Sequence, residues 1–512
     1  MPIVEIRITP EELGDFSRIQ ALACEAAGVA VSTPVQVVRR SLDCRGRRPR
    51  YVLRVQVGDL PVVEPSRAFA PKPPTGAPVL IVGAGPGGYF AALGLLEAGF
   101  RPIVLERGRD VRSRRRDLKP LYTQGRVDPH SNYCFGEGGA GAYSDGKLYT
   151  RVSKRGDPRR VLRLLVEFGA SPDILVDAHP HLGSNVLPRI VAAVREAICA
   201  LGGEVHFGAH VTGLVRRGDA VCGVRLADGS TLEGGGVVLA PGHSARDVFA
   251  FLHAHGIAVE PKPFALGVRI EHPQTLVDRM FYGASPRHPG LPPASYRLTH
   301  QAKERGVFSF CMCPGGFIVP AATAPGELVL NGMSLAARSA PFANAGIVAE
   351  VRFTDVPGVD ADPLAMLRFQ AEVEQAMFAA GDGTLKAPAQ RVPDFLRGVT
   401  GAHPGRTSYV PGCFAAPLHE LLPPFVTAAL REALRAWERR FPGFASSEAK
   451  ILAVESRTSS PVRIPRDAAT QMHPAAPGLF PCGEGAGYAG GIVSAALDGL
   501  AAAQAVARYL KK

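Results

Sequence analysis

Three groups of residues in this chain have the types and spacing to do chemistry. The first is a glycine cluster, Gly83, Gly85, Pro86, Gly87 and Gly88, between four apolar β-formers at 79–82 and a helix-compatible stretch reaching Glu97. A second apolar strand from Pro102 to Leu105 then ends at Glu106, with Arg107 beside it. Strand, glycine turn, helix, strand and acid, in that order, is a dinucleotide-binding pattern. Gly83 permits the tight turn, Gly85 lets backbone approach a pyrophosphate, and Gly88 lets the helix pack on the strand. The helix start offers unpaired N–H groups and partial positive charge to phosphates. Glu106, 23 residues after Gly83, is placed to accept hydrogen bonds from ribose hydroxyls.

The second group lies at the far end, in PGLFPCGEGAGYAGGIVSAALDGL, residues 477–500. A short strand ends in Gly483-Glu484-Gly485, Gly487 follows, and a small-residue helix begins near Gly491 and Ile492. A nicotinamide dinucleotide held on one βαβ unit has no need of this element. FAD does, because its ribityl chain and ring extend well past that unit. Glu484 would reach a ribityl hydroxyl, and the helix would turn its positive end toward N1–C2=O of the ring. Between the two motifs, residues 204–242 read as a β-meander turning at Gly218-Asp219 and Asp228-Gly229. A buried strand then ends in Ala240-Pro241-Gly242.

The third group is suited to a substrate. Glu137 is followed by Gly138, Gly139, Ala140 and Gly141, a run that can lie against a flat ring or form an ordinary glycine turn. Lys147 would hold a flavin carbonyl or a substrate acid, or sit on the surface. Arg457 and Arg463 bracket three hydroxyls and a Pro turn, forming either an anion clamp or a salt-bridged crossover between domains. Cys311 and Cys313 share a strand face by the period of two, as core residues or with a thiol facing the ring. Arg269 and Glu271 share another face, as an ion pair or as substrate contacts. His243 reads better as a surface residue than as a neighbour of the pyrophosphate. The catalytic candidates are Arg457, with Tyr143, His272 or Cys313 as proton donor.

The elements that must position these groups predict an α/β protein. A discontinuous Rossmann-type FAD-binding domain takes residues 79–245 and 450–512. An α+β substrate domain, 246–449, is inserted, with strands at 264–271, 307–313, 317–320 and 328–331 and helices near 363–379 and 418–440. A small N-terminal βαββ module occupies 1–60, its helix opening at Pro10. Residues 61–78, with six prolines, form a linker.

The chain has 512 residues, 46% hydrophobic and 20% charged, which excludes a disordered protein. Residues 77–96 carry no charge, but five glycines and Pro86 fit a buried βα unit better than a membrane span. No leader pattern opens the sequence, and a soluble cytoplasmic protein is expected. Nine cysteines without CxxC or paired ligand spacing predict reduced thiols and no metal. The net charge of +12 and the arginine runs at 45–50 and 112–116 read as a solvated basic face, with an anionic substrate or RNA as the alternatives.

Several stretches together resemble one group, the uncharacterised bacterial and plastid FAD-dependent oxidoreductases of the glutathione-reductase-like superfamily. These are SNYCFGEGGAGAYSDGKL (131–148), LGVRIEH (266–272), FSFCMCPGGFIVP (308–320), ESRTSSPVRI (455–464) and GEGAGYAGGI (483–492). That group is distantly similar to flavoproteins such as bile-acid enoyl reductases. The resemblance implies a backbone contact from Val211 to adenine. Glu484 stands where an Asp is usual. The expected cofactor is FAD, with NAD(P)H as a transient electron donor, since no second GxGxxG is present to hold it permanently. Neither a DGxxSxVR monooxygenase signature nor an amine-oxidase Gly-Gly doublet after Glu106 is found. The reading is hydride transfer through flavin N5 to or from a small molecule. An RNA-modifying flavoprotein and a flavin-bound scaffold are the competing classes.

Overall fold

The computed structural model describes residues 2–46, 48–58, 68–150 and 156–511. A five-stranded parallel sheet is built in the order Leu479–Pro481, Gly236–Leu239, Val79–Val82, Pro102–Glu106 and Glu204–Phe207. Its middle strands are buried from end to end, so they read as continuous apolar runs rather than alternating ones. Chain order reverses between Val79–Val82 and Gly236–Leu239, and at such a switch point the loops part to leave a crevice.

Two helices cover one side of this sheet. Pro86–Ala98 follows the glycine turn, with Pro at its first position. Ile492–Leu510 packs along it so closely that a methyl on Gly499 would overlap the carbonyl oxygen of Gly87. Inside that helix the buried Asp498 carboxylate pairs with Arg466 at 2.7 Å and accepts from the Gly483 N–H, also at 2.7 Å. Among the described residues, no helix is long and apolar enough to cross a membrane.

A second sheet has seven strands, in the order Thr299–Ala302, Arg305–Cys313, Phe342–Val351, Phe264–Pro273, Lys450–Glu455, Ala387–Arg391 and Cys413–Ala415. The strand Lys450–Glu455 pairs here with Phe264–Pro273, so the chain returns toward the parallel sheet only beyond it. The helix expected over 418–440 is two helices, Leu418–Leu421 and Pro424–Arg440. The Pro423-Pro424 pair separates them, because proline lacks an N–H and constrains the residue before it.

Strands Ile3–Ile8, Arg50–Val57 and Val35–Asp43 form a three-stranded antiparallel sheet with Arg50–Val57 in the middle. Its helix spans Phe16–Ala27 rather than starting at Pro10. Asp15 caps it by accepting from the Arg18 N–H at 2.9 Å. This module is tied to the rest by Arg40 to Asp177 at 2.7 Å and by the Tyr51 hydroxyl donating to the Gly290 carbonyl at 2.8 Å. Of the linker, residues 61–67 lie outside the described residues. Beyond them Phe69 is buried against Phe168, and Lys72 N–H donates to the Leu96 carbonyl at 2.9 Å.

Candidate functional site

A cavity of about 2050 Å³ opens at the switch point and runs between the parallel sheet, the seven-stranded sheet and the N-terminal module. Pockets for small ligands reach about 1,000 Å³. The excess leaves space for a dinucleotide and a second molecule together.

At one end, three glycine-rich segments meet. Gly83 takes φ 101°, and a methyl there would overlap the Ala240 carbonyl oxygen. Gly85, which lines the cavity, has open space where a Cβ would sit, and it starts the helix Pro86–Ala98 without a side-chain cap. Gly491 likewise starts Ile492–Leu510 without a side-chain cap. Both helices therefore turn unpaired first-turn N–H groups toward the cavity. The third segment, the 3-10 turn Gly139–Gly141, closes over them. A Cβ on Gly139 would lie 3.4 Å from Gly85 Cα, and one on Gly141 3.2 Å from Ile492 Cγ1. A glycine-rich cradle with two uncapped helix starts fits FAD, whose pyrophosphate and reduced ring both carry negative charge.

One side chain holds the third segment in place. Arg114 has no solvent exposure. Its guanidinium donates to the carbonyls of Asn132, Tyr133, Gly136, Glu137 and Gly139 at 2.7–3.3 Å. The sequence reading placed Arg114 in a solvated basic run, and the structure corrects this. The missed signal is helical spacing: Val111, Arg114, Leu118 and Leu121 form the buried face of Val111–Gln124. Glu106 fixes the other side of the same loop. Its buried carboxylate accepts from the N–H groups of Ala84, Gly108 and Gly136 at 2.8–2.9 Å. Three of its roughly four acceptor positions are thus taken by backbone.

Most of the residues expected to touch the cofactor line this cavity: Gly83, Gly85, Pro86, Gly87, Glu106, Arg107, Gly139, Ala140, Gly141, Lys147, Val211, Ala240, Pro241, Gly242, Gly483, Glu484, Gly491 and Ile492. Gly88, Gly138 and Gly487 stand behind the wall. Gly88 sits under the Gly83 carbonyl, Gly138 N–H donates to the Ala84 carbonyl at 2.9 Å, and Gly487 abuts the Val462-Arg463 turn. Arg107 pairs with Asp247 at 2.9 Å and lies 4.3 Å over the Phe135 ring.

His243 is buried, not on the surface as the sequence suggested, and faces Glu484 at 3.5 Å. Burial pulls its pKa down, but Glu484 and the hydrogen-bonded Cys134 raise it to about 10. For Cys134 burial pushes upward, yet His243 and Arg457 bring the thiol to about 7. Cys134, His243 and Glu484 all line the cavity, with the imidazole between the thiol and the carboxyl group. Nothing in their sequence spacing links them; the ends of two parallel strands and the Arg114-held loop bring them together.

The catalytic candidates fare differently. Arg457 reaches the cavity wall, but its donors are committed to Glu374, Thr323 and Glu327 at 2.6–3.1 Å. Arg246 binds the same two glutamates, at 2.5 and 2.8 Å. Of the two readings, the salt-bridged crossover fits this geometry and the anion clamp does not. Tyr143 lies off the cavity lining and donates to the Val111 carbonyl at 2.9 Å. His272 is fully buried with Nε2 2.8 Å from the Phe444 carbonyl, off the cavity lining, and burial drives its pKa to about 4, so near neutrality it is not an imidazolium that could act as an acid. Cys313 is buried behind Cys311, which does line the cavity. Arg269 and Glu271 do not pair with each other. Arg269 binds Glu455 at 2.7 Å, and Glu271 accepts from the Ser408 N–H at 3.0 Å.

A profile described as FAD-dependent protein, C-terminal domain-like, matches residues 263–458, and one for a domain of unknown function matches residues 1–58. An uncharacterised protein of Clostridium beijerinckii is 42% identical over 431 residues, covering 83% of this chain and 80% of that one. Among solved structures, CtdE in complex with FAD is 12% identical over 85% of this chain and 88% of its own, with a TM-score of 0.32. A triple mutant of the flavin-dependent brominase Bmp2 is 11% identical over 85% and 81%, with a TM-score of 0.36. The chain belongs to one family with the clostridial protein, its residues 263–458 match the FAD-dependent profile, and FAD is its cofactor.

Proposed function

We propose that the protein is an FAD-dependent oxidoreductase acting on a small molecule held in the part of the cavity beyond the cradle. In this reading, residues 79–245 with the returning C-terminal segment form a Rossmann-type domain, and the seven-stranded sheet belongs to the inserted substrate domain. The observation that carries it is one cavity, with the glycine cradle at one end and a lobe walled by Tyr296, Phe308 and Phe310 continuing from it. When bound, FAD supplies a two-electron hydride centre at ring N5.

The chain's own residues have four tasks. The first-turn N–H groups after Gly85 would hold phosphate, and those after Gly491 would stabilise the negative charge that the ring gains on reduction. Gly139–Gly141 would cover the ring with backbone and the single methyl of Ala140. Glu484 accepts a ribityl hydroxyl while holding the His243 imidazolium, which keeps a proton on the cavity wall. The aromatic walls of the lobe exclude water and orient the second molecule. NADH or NADPH is the proposed transient donor.

Purified protein should be yellow and release FAD on heat denaturation. Under anaerobic conditions a reduced nicotinamide should bleach the colour. Release of FMN alone would overturn the reading of the cradle. A flavin that no electron donor bleaches would overturn the redox reading.

A further inference from the structure

Cys311 and Cys313 lie on Arg305–Cys313, where the strand departs from regular pairing. Phe310 is opposite Gly346 and Cys313 is opposite Asn344, so three steps on this strand face two on its neighbour. A regular strand advances about 3.4 Å per residue. The bulge therefore compresses 310–313 and draws its side chains together. Cys311 absorbs the extra residue at φ 43°, a conformation costly for a residue with a Cβ. It does so at the cavity wall.

The surroundings of the two sulfurs are specific. Cys313 Sγ lies 3.3 Å from the Cys311 carbonyl oxygen and 3.5 Å from Arg269 Nη2. The same Arg269 nitrogen donates to the Cys311 carbonyl at 2.6 Å. Lys147, which also lines the cavity, is held by Asp145 at 2.9 Å, and Arg338 holds that carboxylate from the other side. Both cysteines are free thiols. The Cys313 thiol, hydrogen-bonded to Cys311, together with Lys147 and Arg269 holds Cys311 well below the usual thiol range. Burial and the neighbouring Cys311 push Cys313 well above it. One thiol is thus half-buried at the cavity wall and held toward the thiolate, and the other is buried and held toward the protonated form behind it.

We propose that Cys311 and Cys313 form a redox-active dithiol that reduces a low-molecular-weight disulfide in the cavity. Cys311 thiolate attacks one sulfur of RS–SR′. The S–S bond breaks, and R′S⁻ leaves and takes up a proton. Cys313 then gives up its proton and attacks Cys311 Sγ, forming the Cys311–Cys313 bond and expelling RS⁻, which is protonated in turn. Two electrons pass from the dithiol to the disulfide, and the Cys313 proton and one proton from solvent end on RSH and R′SH. The half-buried place of Cys311 on the cavity wall favours a small disulfide over one on a folded protein surface. The proposal does not rest on the hydride-transfer reading.

The test uses the flavin-bearing protein and oxidised glutathione as probe. The tryptic peptide Gly306–Arg338 contains only these two cysteines, and Val127–Lys147 contains only Cys134. Wild type should lose two hydrogens on Gly306–Arg338 and release two glutathione thiols per chain. Cys313→Ser should stop at the mixed disulfide, with one glutathionyl group on Cys311. Cys311→Ser should leave the peptide unmodified. Flavin content of each variant reports that it is folded. A wild-type peptide that keeps both thiols would overturn the proposal. So would equal glutathionylation of both variants, which would mark two independent thiols rather than an attacking and a resolving one.

Discussion

At the scale of single residues, proton placement at the cavity wall rests on His243. Its pKa of about 10 and the Cys134 value of about 7 bracket a window in which imidazolium and thiolate coexist. In flavin-stripped protein, alkylation of Cys134 by iodoacetamide should rise with a midpoint near pH 7. Removing the imidazolium with His243→Gln leaves burial opposed only by Arg457 and Ser244, so the midpoint should move upward. An unchanged profile would show that His243 does not hold the thiolate. Glu106 makes a second case. Glu106→Ala strands the N–H groups of Ala84, Gly108 and Gly136, at about 1–3 kcal/mol for each one that water does not reach. It should lower the melting temperature even before cofactor is added, and FAD release should become faster.

Between residues and elements stands the network of Arg246, Arg457, Glu327 and Glu374. It joins the helix Arg246–Ala254, the helix Ala365–Ala379 and the segment after Glu455. Arg457→Ala leaves two buried glutamates facing one arginine. Breaking a buried pair from one side costs about 3–5 kcal/mol. The expected result is a large drop in denaturation midpoint, with Arg457→Lys recovering part of it, rather than a stable protein that has lost turnover alone. Gly499→Ala should push the helix Ile492–Leu510 off Pro86–Ala98 and lower FAD occupancy, read as the flavin-to-protein ratio. The same scale shows what the sequence makes legible. The turn at Gly83–Gly88 and the motif at 483–492 could be read because backbone conformation and phosphate chemistry restrict those positions to a few residue types. The interior strand Phe342–Val351, FANAGIVAEV, could not, because alanine and glycine carry little strand propensity and its pairing on both edges decides its form. Arg457 and His272 have residue types suited to catalysis, but their neighbours, distant in sequence, tie them into structure. Cys134, His243 and Glu484 show the reverse, a constellation assembled only by the fold.

For the whole molecule, the N-terminal module is part of the chamber. Leu13, Ser41, Leu42, Cys44 and Tyr51 line the cavity. A chain beginning at Ala68 should therefore still retain FAD, since none of the cradle residues is removed. Its KM for the eventual substrate should rise about tenfold if roughly 1.4 kcal/mol of contact is lost. Loss of flavin from a folded truncation would contradict this division of labour. The order of the parallel sheet carries one more consequence, for the timing of synthesis. The strand Leu479–Pro481 and the helix Ile492–Leu510 complete a cradle whose other half, Val79 to Ala98, is translated far earlier. Until they emerge, Gly236–Leu239 is an unpaired sheet edge and the apolar face of Pro86–Ala98 is bare, the kind of surface that recruits other strands. Cofactor loading is then a post-translational event. Ribosome-arrested chains stalled before Leu479 should carry no flavin and depend on chaperones for solubility, and supply of FAD during expression should have no effect on them.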